Sequence, residues 1–259
     1  MGFIFSELAA TAALFVGMLA GFEVGRRIGQ ARLKRDPDGH AKGSGPVEAA
    51  VFGLLGLLLA FTFSGAASRF EERRHLITTE ANAIGTAYLR LDLLPADAQP
   101  ELRQLFREYL ALRAQVYRNA VDATATQARA TEANKMQRKI WDKSLAAGAR
   151  PEARPQATLL LVPALNEMID ITTTRAVATQ NHPPMVIFVL LAVLSVVSAL
   201  LAGYVMCNTQ ERSWFYMLLL AATLSLTLYV ILELEYPRSG LIRIDQADQT
   251  LIDLQGQMQ

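Results

Sequence analysis

Residues able to do chemistry are few and scattered along this 259-residue chain. The single cysteine, Cys207, excludes an intrachain disulfide and a cysteine-rich metal site. The three histidines, His40, His75 and His182, are too far apart for the spacings that hold a metal on one helix. Phosphate-binding loops, dinucleotide fingerprints and nucleophile elbows are missing from the sequence as well. We therefore expect no enzyme, no metal or other cofactor, and no nucleic-acid partner.

Three glutamates, Glu7, Glu48 and Glu233, stand in otherwise apolar stretches. Ionisable groups inside a membrane are costly and mark functional sites when they converge. Each of these three lies near the end of its apolar run, where water reaches it. A membrane enzyme built on them is the last of the interpretations we consider.

The elements that would carry such residues are apolar runs of bilayer length. The chain is 52% hydrophobic yet 19% charged, and the two populations are segregated. Four nearly charge-free runs, residues 3–22, 47–67, 185–206 and 214–234, each reach the roughly 20 residues that cross ~30 Å of hydrocarbon as a helix. Because backbone groups in lipid must be satisfied within the segment, each run should be helical. The sequence predicts an all-α membrane protein with four transmembrane helices.

Between the second and third runs lies a polar insert, residues 68–184, without strand signals. Its helical periodicity predicts an antiparallel helical bundle, with helices near residues 69–94, 101–121, 124–147 and 156–178. The predicted organisation is a first transmembrane pair (1–67), this insert (68–184), a second hairpin (185–234) and an amphipathic tail (235–259). The tail places Leu241, Ile244, Leu251 and Leu254 near one face and could lie on the membrane or on the insert. We expect Leu241 and Ile244 to be buried in either position.

Glycine recurs every fourth residue in the first helix, at Gly17, Gly21, Gly25 and Gly29. Small residues at this spacing let another helix backbone approach closely in lipid. The partner could be another subunit or another span of the same subunit, and the sequence favours neither.

The second run presents a face that changes character along its length. Gly53, Leu57 and Phe61 are four apart, Ser64 and Ser68 lie close to the same face, and Arg69 follows. One helix cannot enclose a pore, but several copies around an axis could. An apolar ring gates by dewetting, and a ring of arginines attracts anions. The alternative is an ordinary buried packing face.

Beyond this run the sequence combines charges with a small-residue face. Gly85 lies four residues after Ala81, and Glu80 and Asn82 stand in the same stretch. If Glu80 and Asn82 are buried at a close contact, they need hydrogen-bond partners and could fix the register of the helices.

The stretch "LLLAFTFSGAASRFEERRHL" resembles the second-span motif of bestrophins, in which an apolar helix continues into an Arg-aromatic-x-Glu-x-Arg segment, here Arg69, Phe70, Glu72 and Arg74. The runs "EANAIGTAYLRLDLLP" and "LEYPRSGLIRI" are similar to a bacterial bestrophin-like family. The resemblance implies a pore of five subunits, with a cytoplasmic insert and an apolar neck. Aligning the motif arginine places that neck at Phe61, Leu57 and Gly53. Gly53 departs from the pattern, and no acidic cluster resembles a calcium clasp.

Residues and resemblance together predict a homo-oligomeric ion channel, a pentamer, in a bacterial inner membrane. Its partners would be copies of the chain, the lipid bilayer and a permeant inorganic ion. A preference for anions such as chloride is predicted from Arg69, Arg73 and Arg74, although Glu71 and Glu72 nearly cancel their charge. The alternative is a non-conducting membrane scaffold or sensor whose insert binds a partner.

Overall fold

The structure, a computed structural model, describes residues 2–35, 44–118, 123–208, 214–237, 241–242 and 244–258. Within those ranges the regular elements are all helical, and no strand is present. Residues 36–43, which include His40, and residues 209–213 lie outside the described residues, as do 119–121 of the predicted second insert helix and 238–240, 243 and 259 of the predicted tail. The α-helices are α1 (Gly2–Arg35), α2 (Ser44–Leu89), α3 (Gln99–Arg118), α4 (Ala123–Gly148), α5 (Ala157–Gln180), α6 (Met185–Val205), α7 (Trp214–Glu235) and α8 (Asp245–Gln257).

Four stretches of the described chain are long and apolar enough to cross a membrane. They are Glu7–Arg35, Gly45–Leu93, Ala157–Val205 and Trp214–Glu235. The predicted all-α class with four spans is therefore confirmed. The most apolar part of each stretch is helical, so its backbone groups are satisfied within the segment, which is the condition for crossing lipid.

Helix α2 runs far beyond the length that a bilayer requires. Its 46 residues extend about 69 Å at 1.5 Å per residue, more than twice the ~30 Å hydrocarbon core. Pro46 lies in its first turn, where a missing N–H costs nothing. After a 3₁₀ turn at Arg90–Leu93, Leu94 is extended (φ −83°, ψ 162°), as the residue before a proline prefers.

The chain forms two compact units. The first contains Met1–Ser68 and His182–Leu241, and in it α1 packs against α6 and α7. The second contains Arg69–Asn181 and Ile242–Gln259. Helix α2 contributes residues to both.

The second unit has its own hydrophobic core. Phe106 and Tyr109 of α3 are fully buried in it, together with Ile77 of α2 and Leu165 of α5. Tyr88 meets Phe106 edge to face, with ring centroids 5.9 Å apart. Aromatic side chains in this geometry add packing energy beyond their buried area.

The tail helix α8 belongs to this second unit. Ile244 and Leu251 are buried in its core, and the Tyr88 hydroxyl donates a hydrogen bond to the Met258 carbonyl at 3.4 Å. Of the two positions left open for the tail, the structure has the one on the helical insert. Leu241, which we expected to be buried alongside Ile244, is instead 83% exposed, because it precedes α8 and belongs to the first unit.

The glycine row of α1 faces α6 of the same chain. A Cβ added at Gly21 would lie 3.1 Å from the Val196 carbonyl oxygen, and one at Gly29 would lie 2.6 Å from that of Tyr204. A Cβ at Gly25 would overlap the Leu200 carbonyl, and Gly17 lies 3.7 Å from a Val196 methyl group by the same construction. The two backbones thus approach too closely for side chains between them. The structure places this row at a contact within the subunit.

We expect Gly25→Ala to destabilise the protein, because its new methyl group has no space beside α6. Overpacking of this kind costs about 1–3 kcal/mol. Gly53→Ala is the matched control, since nothing lies within 4 Å of a Cβ there and alanine gains helix propensity. The check is the Tm of purified protein in detergent. Equal Tm values for the two variants would contradict the close contact of α1 with α6.

Candidate functional site

One face of α2 remains exposed through the apolar run. It carries Leu57 and Phe61, which are 52% and 66% exposed, and the exposed Gly53, Ser64 and Ser68. At 3.6 residues per turn these five positions fall within an arc of roughly 80°. The predicted neck residues therefore share one continuous face, called here the α2 row.

The buried residues of this part of α2 lie on the opposite side of the helix. Leu55, Leu59 and Ala66 are each at most 8% exposed. By helical geometry their side is about 180° away from the α2 row. The buried side continues after the span at the same spacing with Arg73, Ile77 and Ile84, so α2 uses one side for packing along its length.

The exposed face of α2 differs from that of α6. Helix α6 exposes only apolar side chains, such as those of Val186, Val189 and Leu190, and it buries Ser195 and Ser198. This distribution is the usual one for a lipid-facing helix. The α2 row instead exposes serines and a glycine. Its composition is thus unlike that of a surface made only for lipid.

The predicted arginine cluster beyond the row is dispersed. Arg69 follows Ser68, and one residue turns the helix by about 100°, so Arg69 lies beside the row rather than on it. Arg73 is buried and donates to the carbonyl oxygens of Ala178 and Asn181 at 3.1 and 3.0 Å. Arg74 pairs with Glu71 at 2.8 Å on the surface. The guanidiniums of Arg73 and Arg74 therefore point to different neighbours.

Glu80 lies at the centre of a buried ion cluster, with Arg113, Arg175 and Asp248. Glu80 is fully buried and accepts hydrogen bonds from Arg113 at 2.5 Å and from Arg175. Arg175 also faces the carboxylate of Asp248 at 3.9 Å. The cluster joins α2, α3, α5 and α8 within the second unit.

The charge state of Glu80 follows from these neighbours. Burial by itself would raise the pKa of the Glu80 carboxyl, but the charges and hydrogen bonds of Arg113 and Arg175 outweigh it. The pKa of Glu80 therefore lies below its usual value. Glu80 is ionised at neutral pH, and the cluster pairs two positive with two negative groups.

The other residues predicted near Glu80 are placed differently. Asn82 is exposed, although we expected it at a close contact, because it lies on the exposed side of α2 along with His75. Gly85 faces the tail helix, with Leu254 at 3.4 Å from an added Cβ. Of the predicted contact residues in this stretch, Glu80 and Gly85 face other elements of the same unit.

Four apolar helices and a helical insert define a multi-span membrane protein. Comparison with protein families identifies a bestrophin-like domain over residues 10–248. The chain belongs to the bestrophin-like family. This fold suggests a family of ion channels. No curated protein was found to match the chain.

Solved structures with the same fold include variants of a bacterial Bestrophin homolog from Klebsiella pneumoniae. A tryptophan-to-alanine variant is 17% identical, with a TM-score of 0.71, over 95% of this chain and 98% of that one. A leucine-to-threonine variant is also 17% identical, with a TM-score of 0.70, over 94% and 99% of the two chains. Likeness at this identity establishes the fold.

We expect Glu80→Gln to lower stability strongly at neutral pH, because it leaves two buried guanidiniums without their full counter-charge. Breaking a buried pair from one side costs about 3–5 kcal/mol. Since the pKa of Glu80 is lower in the folded than in the unfolded state, its contribution is present above the unfolded pKa and is lost as pH falls through the folded pKa. The difference in Tm between wild type and variant should thus be full at neutral pH and shrink only in acid.

Glu71→Gln provides the control for that measurement. Glu71 forms an exposed pair with Arg74, three residues apart on the same helix. Exposed pairs contribute about 0–1 kcal/mol. If Glu71→Gln lowers Tm as much as Glu80→Gln, the buried cluster contributes no more to stability than an exposed ion pair.

Proposed function

We propose that the protein is a homo-oligomeric ion channel, a pentamer in a bacterial inner membrane, with a pore lined by the α2 row. The observation that carries the proposal is the row itself. An exposed face of glycine, leucine, phenylalanine and two serines lies opposite the buried side of a helix in a bestrophin-like fold. The same face continues past the membrane on an unbroken helix.

The chemistry of the row fits a gated aqueous pathway. Around an axis, Leu57 and Phe61 of several copies form apolar rings, which close to ions by dewetting. Gly53 lies one turn before Leu57 and has no side chain, so the pathway at the level of Gly53 would be wide. Ser64 and Ser68 supply hydroxyls that coordinate water or ions next to the narrow part. Glu71 and His75 continue the exposed side beyond the span.

We expect Phe61→Ala and Leu57→Ala to raise ion flux, because each removes bulk from the proposed neck. Liposome flux and planar-bilayer conductance of purified protein measure the effect. Leu58→Ala is the matched control, since Leu58 is an adjacent leucine that the helix turns about 100° from Leu57. Its conductance should equal that of wild type.

The alternative function is a non-conducting scaffold or sensor. The large helical unit carrying α3, α4, α5 and α8 is the observation that favours it, because the unit presents surface for a partner. The mass of the detergent-solubilised oligomer separates the two functions, as a monomer or dimer cannot close a pore around one helix per subunit. A pentamer that passes no ion with any of the three α2 variants supports the scaffold.

The proposed preference for anions rests on Arg69, because it directly follows Ser68 at the end of the α2 row, whereas Arg73 is buried on the opposite side of the helix. In a salt gradient we expect the reversal potential of wild type to lie closer to the equilibrium potential of the anion than to that of the cation. Arg69→Gln should move it toward the cation side, and Lys135→Gln, an exposed lysine on α4, should leave it unchanged. A wild-type potential on the cation side would make the anion preference wrong while leaving the pore intact.

A further inference from the structure

The exposed apolar surface of α1 has the length of a bilayer, and the helix continues beyond it. Among the described side chains of α1, the first and last large apolar ones that are exposed are Leu8 and Ile28, at 54% and 50%. At 1.5 Å per residue they lie about 30 Å apart, which is the thickness of the hydrocarbon core. Helix α1 ends at Arg35, about 10 Å further along its axis. Because the headgroup layer on each side is about 5–8 Å deep, the last turns of α1 reach the level of the headgroups.

This end of α1 is basic. The exposed basic side chains, called here the basic end of α1, are those of Arg27, Arg32, Lys34 and Arg35. Glu23 is the one acidic residue in this part of the helix, and it pairs with Arg26 and Arg27 at 3.1 and 2.8 Å. Residues 23–43 of the sequence hold six lysines or arginines against three aspartates or glutamates. The excess of positive charge therefore holds when residues outside the described ranges are counted too.

The basic end is directed away from the neighbouring helix. Gly25 and Gly29 are the glycines of α1 that lie against α6 at this end. Around the helix, Arg27 lies about 160° from both glycines, and Lys34 and Arg35 lie about 140° and 120° from Gly29. Their exposed side chains thus face the surroundings of the first unit, where headgroups and water are found.

The start of α7 brings aromatic side chains to the same membrane face. Gly29 lies against Tyr204 in the last turn of α6, so α1 and α6 end at one face. Trp214 follows Asn208 by six residues, which extend at most about 22 Å and cannot cross the hydrocarbon core. The exposed aromatic side chains at the start of α7 are those of Trp214, Phe215 and Tyr216. Tryptophan and tyrosine are typical of the boundary between hydrocarbon and headgroups.

We propose that the basic end of α1 and the aromatic start of α7 form a docking surface for an anionic phospholipid, with the basic side chains on its headgroup phosphate. Charge complementarity favours an anionic occupant, and the depth of the surface favours lipid over an acidic protein. The basic side chains begin where the exposed apolar surface ends, so one lipid meets both, with its acyl chains on Val24 and Ile28. The dipole of α1 would account for positive charge in its last turn, but not for Arg26 and Arg27 two turns earlier.

Trp214 can report on this surface by fluorescence. The chain has one other tryptophan, Trp141, which packs against the core of the second unit, and Trp141→Phe removes its signal. The protein is reconstituted in vesicles of phosphatidylcholine and phosphatidylglycerol, with brominated acyl chains on one lipid or the other. We expect phosphatidylglycerol to be preferred next to Trp214 by about fivefold or more, the factor that one basic side chain gives near an anionic membrane surface. The preference should decline in about 1 M NaCl, because salt screens the attraction.

The variant that tests the basic end combines Arg32→Gln, Lys34→Gln and Arg35→Gln, and it should lower the preference to near one. The matched control removes the same charge from the second unit, with Lys135→Gln, Arg138→Gln and Lys139→Gln on the exposed part of α4, and should keep the preference. If Trp141→Phe does not fold, native mass spectrometry of the same variants in detergent counts bound phosphatidylglycerol instead.

A preference that the α1 triple variant keeps would overturn the proposal. Equal quenching by the two lipids in wild type would do so as well, and would leave an acidic protein as the occupant of the surface. The surface uses no residue of the α2 row, and quenching requires no ion flux. The result therefore stands apart from the test of the proposed channel.

Discussion

The structure depends on one constraint: α2 must bury one side along its length while leaving the other uncovered. Leu55, Leu59 and Ala66 pack in the membrane part, and Ile77 and Ile84 continue the same side beyond it. Spacings of four and seven residues keep such a side straight on a helix. A proline in the middle of α2 would kink or break the helix and so interrupt this side. The absence of proline from residues 47–89 is therefore as important to the fold as the apolar side chains.

The ion cluster around Glu80 restricts shifts between neighbouring helices that the apolar side chains alone would allow. Apolar side chains tolerate small shifts between neighbouring helices, whereas a buried carboxylate held by two guanidiniums does not, because a shift would leave a charge unpaired. Arg113 and Arg175 reach Glu80 from α3 and α5, and Asp248 brings α8 to the same place. Because the cost of desolvating the charges offsets much of their attraction, we infer that such a cluster contributes mainly to the register of the helices. The tail helix is thereby joined to the same polar centre as the insert.

Much of this arrangement could be predicted from the sequence, and the remainder shows where periodicity stops being informative. The four spans and the insert helices follow from apolar runs and from the 3.6-residue period. The cluster had a signal that was missed: Arg113, Arg175 and Asp248 each stand in the apolar register of their helices, four residues after Tyr109, Ile171 and Ile244. A charge in that register must find a buried partner. Which charges meet depends on contacts between distant helices. The same limit applies to the burial of Glu7 and Glu233, which we expected water to reach, and to the partner of the glycine row.

The exposed face of α2 fits either a water-filled pore or a dry contact between copies, and its composition bears on which of the two it forms. Lipid alone would not explain this face, because α6 exposes only apolar side chains and buries Ser195 and Ser198. Contact between copies would cover Phe61 and Leu57, but it would also bury Ser64 and Ser68, whose hydroxyls would then need partners. A water-filled axis satisfies both groups at once, since the apolar rings narrow it and the hydroxyls face water. The order of residues along α2, apolar and then polar toward the long extension, thus favours a pore over a dry contact.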